Sequence, residues 1–288
     1  MEKPYFCPRY KDKEMKTLVA CLILALLLSG CRGKDRPVAE PDEPQSRADT
    51  LAAVDAAVND ADEPSDAVDR LFDDFIYTFM RDRTFQLKRI SFPLSNRVDG
   101  VDRPIERKQW KFDPLYAHSD FYTMIFDSER AVSREKDPKL DHVEVEWIYL
   151  NRGRVKQYIF RKQSGKWMLV GLNTQDLSQN ANSDFYKFYH RFASDSDFQL
   201  AHIENPFEFR TFDSDNFQEI DGLLDVAQWP DYCPTLPSDV MTNINYGQHY
   251  RDSKDRVLVL TSPSAGMSCT LVFQKKQGIW KLVGFENI

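Results

Sequence analysis

The sequence repeats itself at one fixed spacing. Displaced by 113 residues, Phe72, Phe75, Phe79, Asp82, Phe85, Gln86, Leu87, Ile90 and Pro93 fall on Phe185, Phe188, Phe192, Asp195, Phe198, Gln199, Leu200, Ile203 and Pro206. A second block, Phe160, Lys162, Gly165, Trp167, Leu169, Val170 and Gly171, falls on Phe273, Lys275, Gly278, Trp280, Leu282, Val283 and Gly284 at the same spacing. Two separated blocks with one offset mark a duplication rather than chance. Whatever each block dictates locally is therefore dictated twice. Between the blocks the halves diverge. The pairs Gln109-Trp110 and Gln228-Trp229 do not share the offset, so each half carries its own insertions.

Each block has a physical reading. Phenylalanines at i, i+3 and i+7 put three rings on one face of a helix, in both halves. Asp82 and Asp195 are placed to end that helix and N-cap a short second one, the carboxylate accepting from free backbone N–H groups. Pro93 and Pro206 fit an edge strand or the start of one. Val143 to Arg161 reads as two strands broken near Asn151-Arg152-Gly153, and a turn at Gly165 leads into Trp167-Met168-Leu169-Val170. Trp167 and Leu169 share a face and are expected to pack on the phenylalanine stripe. Val257–Leu260, Cys269–Phe273 and Trp280–Val283 do the same in the second half. Helices followed by a mostly antiparallel sheet is an α+β layout. The repeats are expected over 67–174 and 181–288. Gln86, Gln199, Asp82 and Asp195 recur in both halves, which points to capping and backbone hydrogen bonding rather than catalysis.

Ahead of the repeats, Met15 to Cys31 reads MKTLVACLILALLLSGC. Lys16 precedes the apolar run Leu18–Leu28, which suits a signal peptide and is short for a spanning helix of about 20 residues. The run ends in Leu28-Ser29-Gly30-Cys31, which resembles the lipobox of bacterial lipoproteins. That resemblance implies loss of residues 1–30 and lipid on Cys31, with each buried CH₂ contributing about 0.8 kcal/mol to membrane anchorage. The first fourteen residues, MEKPYFCPRYKDKE, make a poor n-region, so translation is expected to start at Met15. Residues 31–66 then form a lipidated acidic tether. From Arg32 to Asp66 it is rich in Pro, Ala, Asp and Glu and has no aromatic residue, with a transient helix expected over Thr50–Ala61. Cys7 and Cys21 lie before the cleavage point. Cys233 and Cys269 remain as candidates for a disulfide in an oxidising envelope, the alternative being two separate buried thiols. A net charge of −7 disfavours nucleic acid, and no nucleic-acid-reading motif opposes that.

The aromatic helix, the short strands and the closing strands Gly165-Lys166-Trp167-Met168-Leu169-Val170-Gly171 and Gly278-Ile279-Trp280-Lys281-Leu282-Val283-Gly284 together resemble the NTF2-like superfamily. The block from Asp82 to Leu94, DRTFQLKRISFPL, further resembles DUF4348, an uncharacterised family of Bacteroidetes lipoproteins; the second half departs from it after Ile203. The resemblance covers about Ala67 to Ile288. It implies cones, each a curved sheet wrapped round helices. Relatives of this fold often pair through their sheets, so a tandem chain is expected to form that pair within itself and to stay monomeric in its soluble part. With the anchor, it implies a lipoprotein of the bacterial outer membrane.

Chemistry is sparse. His118, His142, His190, His202 and His249 are scattered, and neither C-x-x-C nor H-E-x-x-H is present, so no metal and no cofactor is expected. Asp213-Ser214-Asp215-Asn216 opens like a calcium loop but lacks its glycine and closing glutamate. An NTF2-like enzyme would need a carboxylate or imidazole and a tyrosine donor inside a cone. The catalytic candidates are Tyr116, His118 and Asp120, beside Tyr122, with His249, Tyr250 and Asp252 as a weaker group in a polar turn. Both groups also read as loop and strand edge. The absence of convergent catalytic groups favours a module that binds a ligand or an envelope protein. An isomerase- or hydratase-type enzyme and a purely structural envelope protein are the alternatives.

Overall fold

The phenylalanine stripe forms the expected helix. In a computed structural model describing residues 66–213, 216–262 and 268–287, α1 (Phe72–Phe79) buries Phe72, Phe75 and Phe79 completely. The apolar run, Cys31, the tether and the helix expected over Thr50–Ala61 lie outside the described residues. Phe72 meets Phe160 at 5.3 Å and Trp167 at 5.1 Å between ring centroids, both edge-on. The second half repeats this on α3 (Ser183–Ser194), where Phe185 meets Phe273 and Trp280, each at 5.3 Å. Each such buried ring stabilises by about 1.5–3 kcal/mol, which makes these stripes the main hold of helix on sheet.

The aspartates cap as read. Asp82 accepts from the Thr84 and Phe85 N–H groups at 2.8 and 2.9 Å and starts α2 (Arg83–Lys88). Asp195 accepts from Phe198 N–H at 2.9 Å and starts α4 (Ser196–Ala201). The recurring glutamines are braces. Gln86 donates to Phe79 O at 3.0 Å and accepts from Trp110 Nε1 at 3.0 Å. Gln199 donates to Phe192 O at 2.9 Å and accepts from Trp229 Nε1 at 2.9 Å. The two Gln-Trp pairs are thus structural equivalents despite their shifted spacing. Trp229 opens the short α5 (Trp229–Tyr232).

Twelve strands are described: β1 (Ile90–Val98), β2 (Val101–Asp102), β3 (Tyr122–Phe126), β4 (His142–Tyr149), β5 (Arg154–Gln163), β6 (Lys166–Asp176), β7 (Ile203–Asp213), β8 (Gln218–Leu224), β9 (Val240–Asn245), β10 (Asp255–Thr261), β11 (Ser268–Lys276) and β12 (Ile279–Asn287). They form two six-stranded sheets, ordered β2-β1-β6-β5-β4-β9 and β3-β10-β11-β12-β7-β8. The β1–β6 and β7–β12 pairs are parallel and the rest antiparallel. Pro93 and Pro206 do not sit on edge strands. They fall where the register of β1 and β7 breaks, between Ile90 and Ser95 and between Ile203 and Glu208, so the missing N–H costs no ladder bond.

The halves are not self-contained. β3, from the first half, completes the second sheet by pairing with β10, and β9, from the second half, completes the first by pairing with β4. The exchanged strands cross at Thr123 and Thr242. Thr123 N–H donates to Thr242 Oγ1 at 2.8 Å, and Thr242 N–H donates to Thr123 Oγ1 at 3.1 Å. This reciprocity marks the point about which one half maps onto the other. Beside it, Asn243 Oδ1 accepts from Ile125 N–H at 2.8 Å and Tyr250 O–H donates to Ile125 O at 2.7 Å, sealing the open edge of β3. The described residues from Asp66 onward accordingly form one unit.

Candidate functional site: an acidic groove between the halves

The sequence candidates separate in space. Tyr116 is 4% exposed and stacks on Tyr122 with centroids 4.9 Å apart, whereas His118 and Asp120 are exposed on the loop beside them. His249 and Asp252 are exposed, and Tyr250 is buried as a brace. No single centre gathers either group. Cys233 and Cys269 are not joined to each other. Burial pushes the Cys233 thiol up to about 11, away from thiolate chemistry.

In each half the aromatic rings of the helices pack against the sheet. A wide groove opens on the face of the second sheet that points away from α3 and α4. Along β10 and β11, Leu258, Leu260, Leu271 and Phe273 face those helices, and by strand alternation Val257, Val259, Thr270 and Val272 face a groove of about 800 Å³. Its far wall comes from the first half: Asp73 on α1, Tyr122 and Met124 on β3, and Glu129, Val132 and Glu135 on the 3₁₀ segment Glu129–Lys136. Glu208, Asp221 and Glu286 close the other side. Among the described lining residues six are carboxylic acids and Arg210 is the one cation. Arg210 is already engaged, with Asp221 at 2.7 Å and Glu286 at 3.8 Å. Glu135 lies above the usual carboxylate range because burial and the neighbouring Asp73 charge both oppose ionisation.

The equivalent face of the first sheet is closed. There Glu146 stands where the second half has Val259, and Tyr186 stands where the first has Asp73. Glu146 accepts from Asn180 at 2.8 Å, Gln157 at 3.0 Å, Asn243 at 2.8 Å and Tyr186 O–H at 3.3 Å, and is 2% exposed. Burial raises its carboxyl above the ordinary value, and the amide donors oppose the rise. One face of the pair is thus packed with polar side chains and the other is open and negative.

A smaller cavity of about 250 Å³ joins the groove through Asp73 and Tyr122. Tyr77, Tyr116 and Tyr246 line it, with Ile76, Met80 and Arg81. Asp73 keeps contact with solvent through the opening, yet the surrounding protein raises its carboxyl, with the Tyr246 hydroxyl, donating at 2.7 Å, pulling the other way. Burial also raises Tyr116, Tyr122 and Tyr246, so all three remain protonated donors. Among the described residues no three His, Cys, Asp or Glu side chains converge as a metal site requires; the groove acids are spread along it. Of the residues the sequence singles out, Tyr116 and Tyr122 line this cavity; Asp73 and Glu135 are not among them. The signal that exposes Asp73 is the polarity mismatch with Tyr186 across the repeat.

Comparison with known proteins agrees with this fold. The chain matches the family model described as a domain of unknown function, DUF4348, over residues 52–287. No curated protein matches it. It is similar to the crystal structure of an NTF2-like protein from Bacteroides fragilis NCTC 9343, with a TM-score of 0.70 and 39% identity, covering 76% of this chain and 96% of that one.

Proposed function

Because the chain belongs to the DUF4348 family, whose description assigns no function, we propose from geometry that it is a binding module. Its ligand is a small molecule with an apolar body and positive charge, held in the groove between the halves. The observation that carries this reading is the open face: an apolar floor of Val257, Val259 and Val272 ringed by six carboxylic acids, where the equivalent face is packed shut. About 800 Å³ is within the usual range of ligand pockets. Carboxylates in excess of cations on a concave wall attract cations and repel phosphates and fatty acids.

The sequence from Met15 to Cys31 supports placement of this module at the bacterial outer membrane, carried by lipid on Cys31 and held off the surface by the tether. Calorimetric titration with decane-1,10-diamine, against decanedioate as the anionic control, tests the groove. Binding of the diamine, weakened by Glu135→Gln and Glu208→Gln, is expected. Equal binding of the two probes, or none, contradicts the reading. A second reading, proton transfer at Asp73 with the Tyr116 hydroxyl as donor, is favoured by the raised carboxyl of Asp73. An enzyme would return a chemically altered ligand, and a binding module returns it unchanged.

A further inference from the structure

Tyr116 lines the tyrosine-lined cavity beside the groove and is 4% exposed. Its hydroxyl bonds to no described side chain and is not one of the polar atoms sealed in the core. Asp73 and Arg81 line the same cavity as Tyr116, and Tyr122 stacks on its ring. Of the Asp73 carboxylate, Oδ1 accepts from Tyr246, and no described side chain donates to Oδ2. The cavity therefore offers a carboxylate oxygen and a hydroxyl, both unengaged, between the rings of Tyr116, Tyr122 and Tyr246. Arg81 stands at the mouth, its guanidinium 3.8 Å over the Tyr77 ring and its Nη1 on Tyr77 O at 3.3 Å.

We infer that this cavity is the anchor subsite for a primary ammonium head whose apolar stem runs out into the groove. This deepens the groove reading and rests on it. A head with N–H groups donates to both Asp73 Oδ2 and Tyr116 Oη, while the tyrosine faces add cation–π attraction. A quaternary head obtains only the second of these. A carboxylate head would be drawn to Arg81 and repelled by Asp73.

The test is calorimetric titration of the whole chain with decane-1,10-diamine and with its bis-trimethylammonium analogue, which has the same stem and no N–H. The diamine is expected to bind about tenfold or more tightly, the ratio of a charge-assisted hydrogen bond. Tyr116→Phe, which keeps the ring against Tyr122, is expected to lower diamine affinity by a similar factor and leave the quaternary probe unchanged. Arg81→Ala is expected to raise diamine affinity. Equal affinity of the two probes, an unaltered Tyr116→Phe, or a loss on Arg81→Ala each overturns the assignment. Those results, with the diamine still sensitive to Glu208→Gln, leave the groove reading standing. Failure of both probes to bind removes the two together.

Discussion

Replacing Asn243 with alanine removes the side chain that ties the exchanged strands to the closed face. Three contacts go at once. Ile125 N–H loses its acceptor at 2.8 Å, Glu146 loses a donor at 2.8 Å, and Tyr250 loses a donor at 2.9 Å. Asn243 is fully buried, so water does not replace them in the unrelaxed structure. A buried N–H left unsatisfied costs about 1–3 kcal/mol and a bond to a charged acceptor contributes about 1.5–3 kcal/mol. The sum is about 4 kcal/mol, a large share of the roughly 5–15 kcal/mol of a folded domain. At about 2–4 °C per kcal/mol for a unit of this size, Tm falls by about 8–16 °C. Denaturant unfolding of Asn243→Ala, of Glu146→Val and of the double variant completes a cycle. The bonded pair is expected to couple by about 1.5–3 kcal/mol, the double variant being less damaged than the two losses added. Additivity within about 0.5 kcal/mol, or a loss below about 1 kcal/mol for Asn243→Ala alone, would refute the reasoning.

The brace glutamines should differ in a defined order. Gln86 also donates to Asp113 O at 2.8 Å and accepts from Asp113 N–H at 3.1 Å, so Gln86→Ala is expected to cost more than Gln199→Ala by about 1–2 kcal/mol in denaturant unfolding. Asp69 pairs in two-point fashion with the buried guanidinium of Arg89, at 2.9 and 3.1 Å, and accepts from Trp167 N–H at 2.8 Å. Asp69→Ala strands that cation and should cost about 3–5 kcal/mol, while Asp69→Ala with Arg89→Met recovers part of the loss. Glu146 gives a pH signature. Its folded carboxyl holds its proton at higher pH than the ordinary 4.5, so its contribution to stability is full below that value and is lost as pH rises through the folded one. Unfolding of Glu146→Gln should therefore improve relative to the parent from pH 4.5 toward neutrality, and a gap constant over that range contradicts the assignment.

Much of the fold is legible because its causes are local and stated twice. The phenylalanine stripe, the capping aspartates, the turn at Gly165 and the tryptophan strands each follow from spacing within a few residues, and DUF4348 and NTF2-like membership agree with them. The strand exchange is not legible. Tyr122–Phe126 and Val240–Asn245 lie where the repeat spacing shifts, and each pairs with a strand of the other half. The site is hidden for a related reason. Asp73 follows Phe72 on an amphipathic helix and reads as solvent face, and the groove acids come from separate elements of both halves. Tyr116, His118 and Asp120 lie close together in sequence, but only the tyrosine is buried.

The crossing of β3 and β9 within one chain is tested most directly by trapping it. Thr123 Oγ1 and Thr242 Oγ1 lie 3.5 Å apart, close enough for cysteines there to reach bonding geometry. Oxidised Thr123→Cys/Thr242→Cys protein should run as a single chain without reductant and yield, after proteolysis, one peptide pair linking the two new cysteines. Two unreacted thiols, or the same link found only between separate chains, would contradict an exchange made inside one molecule.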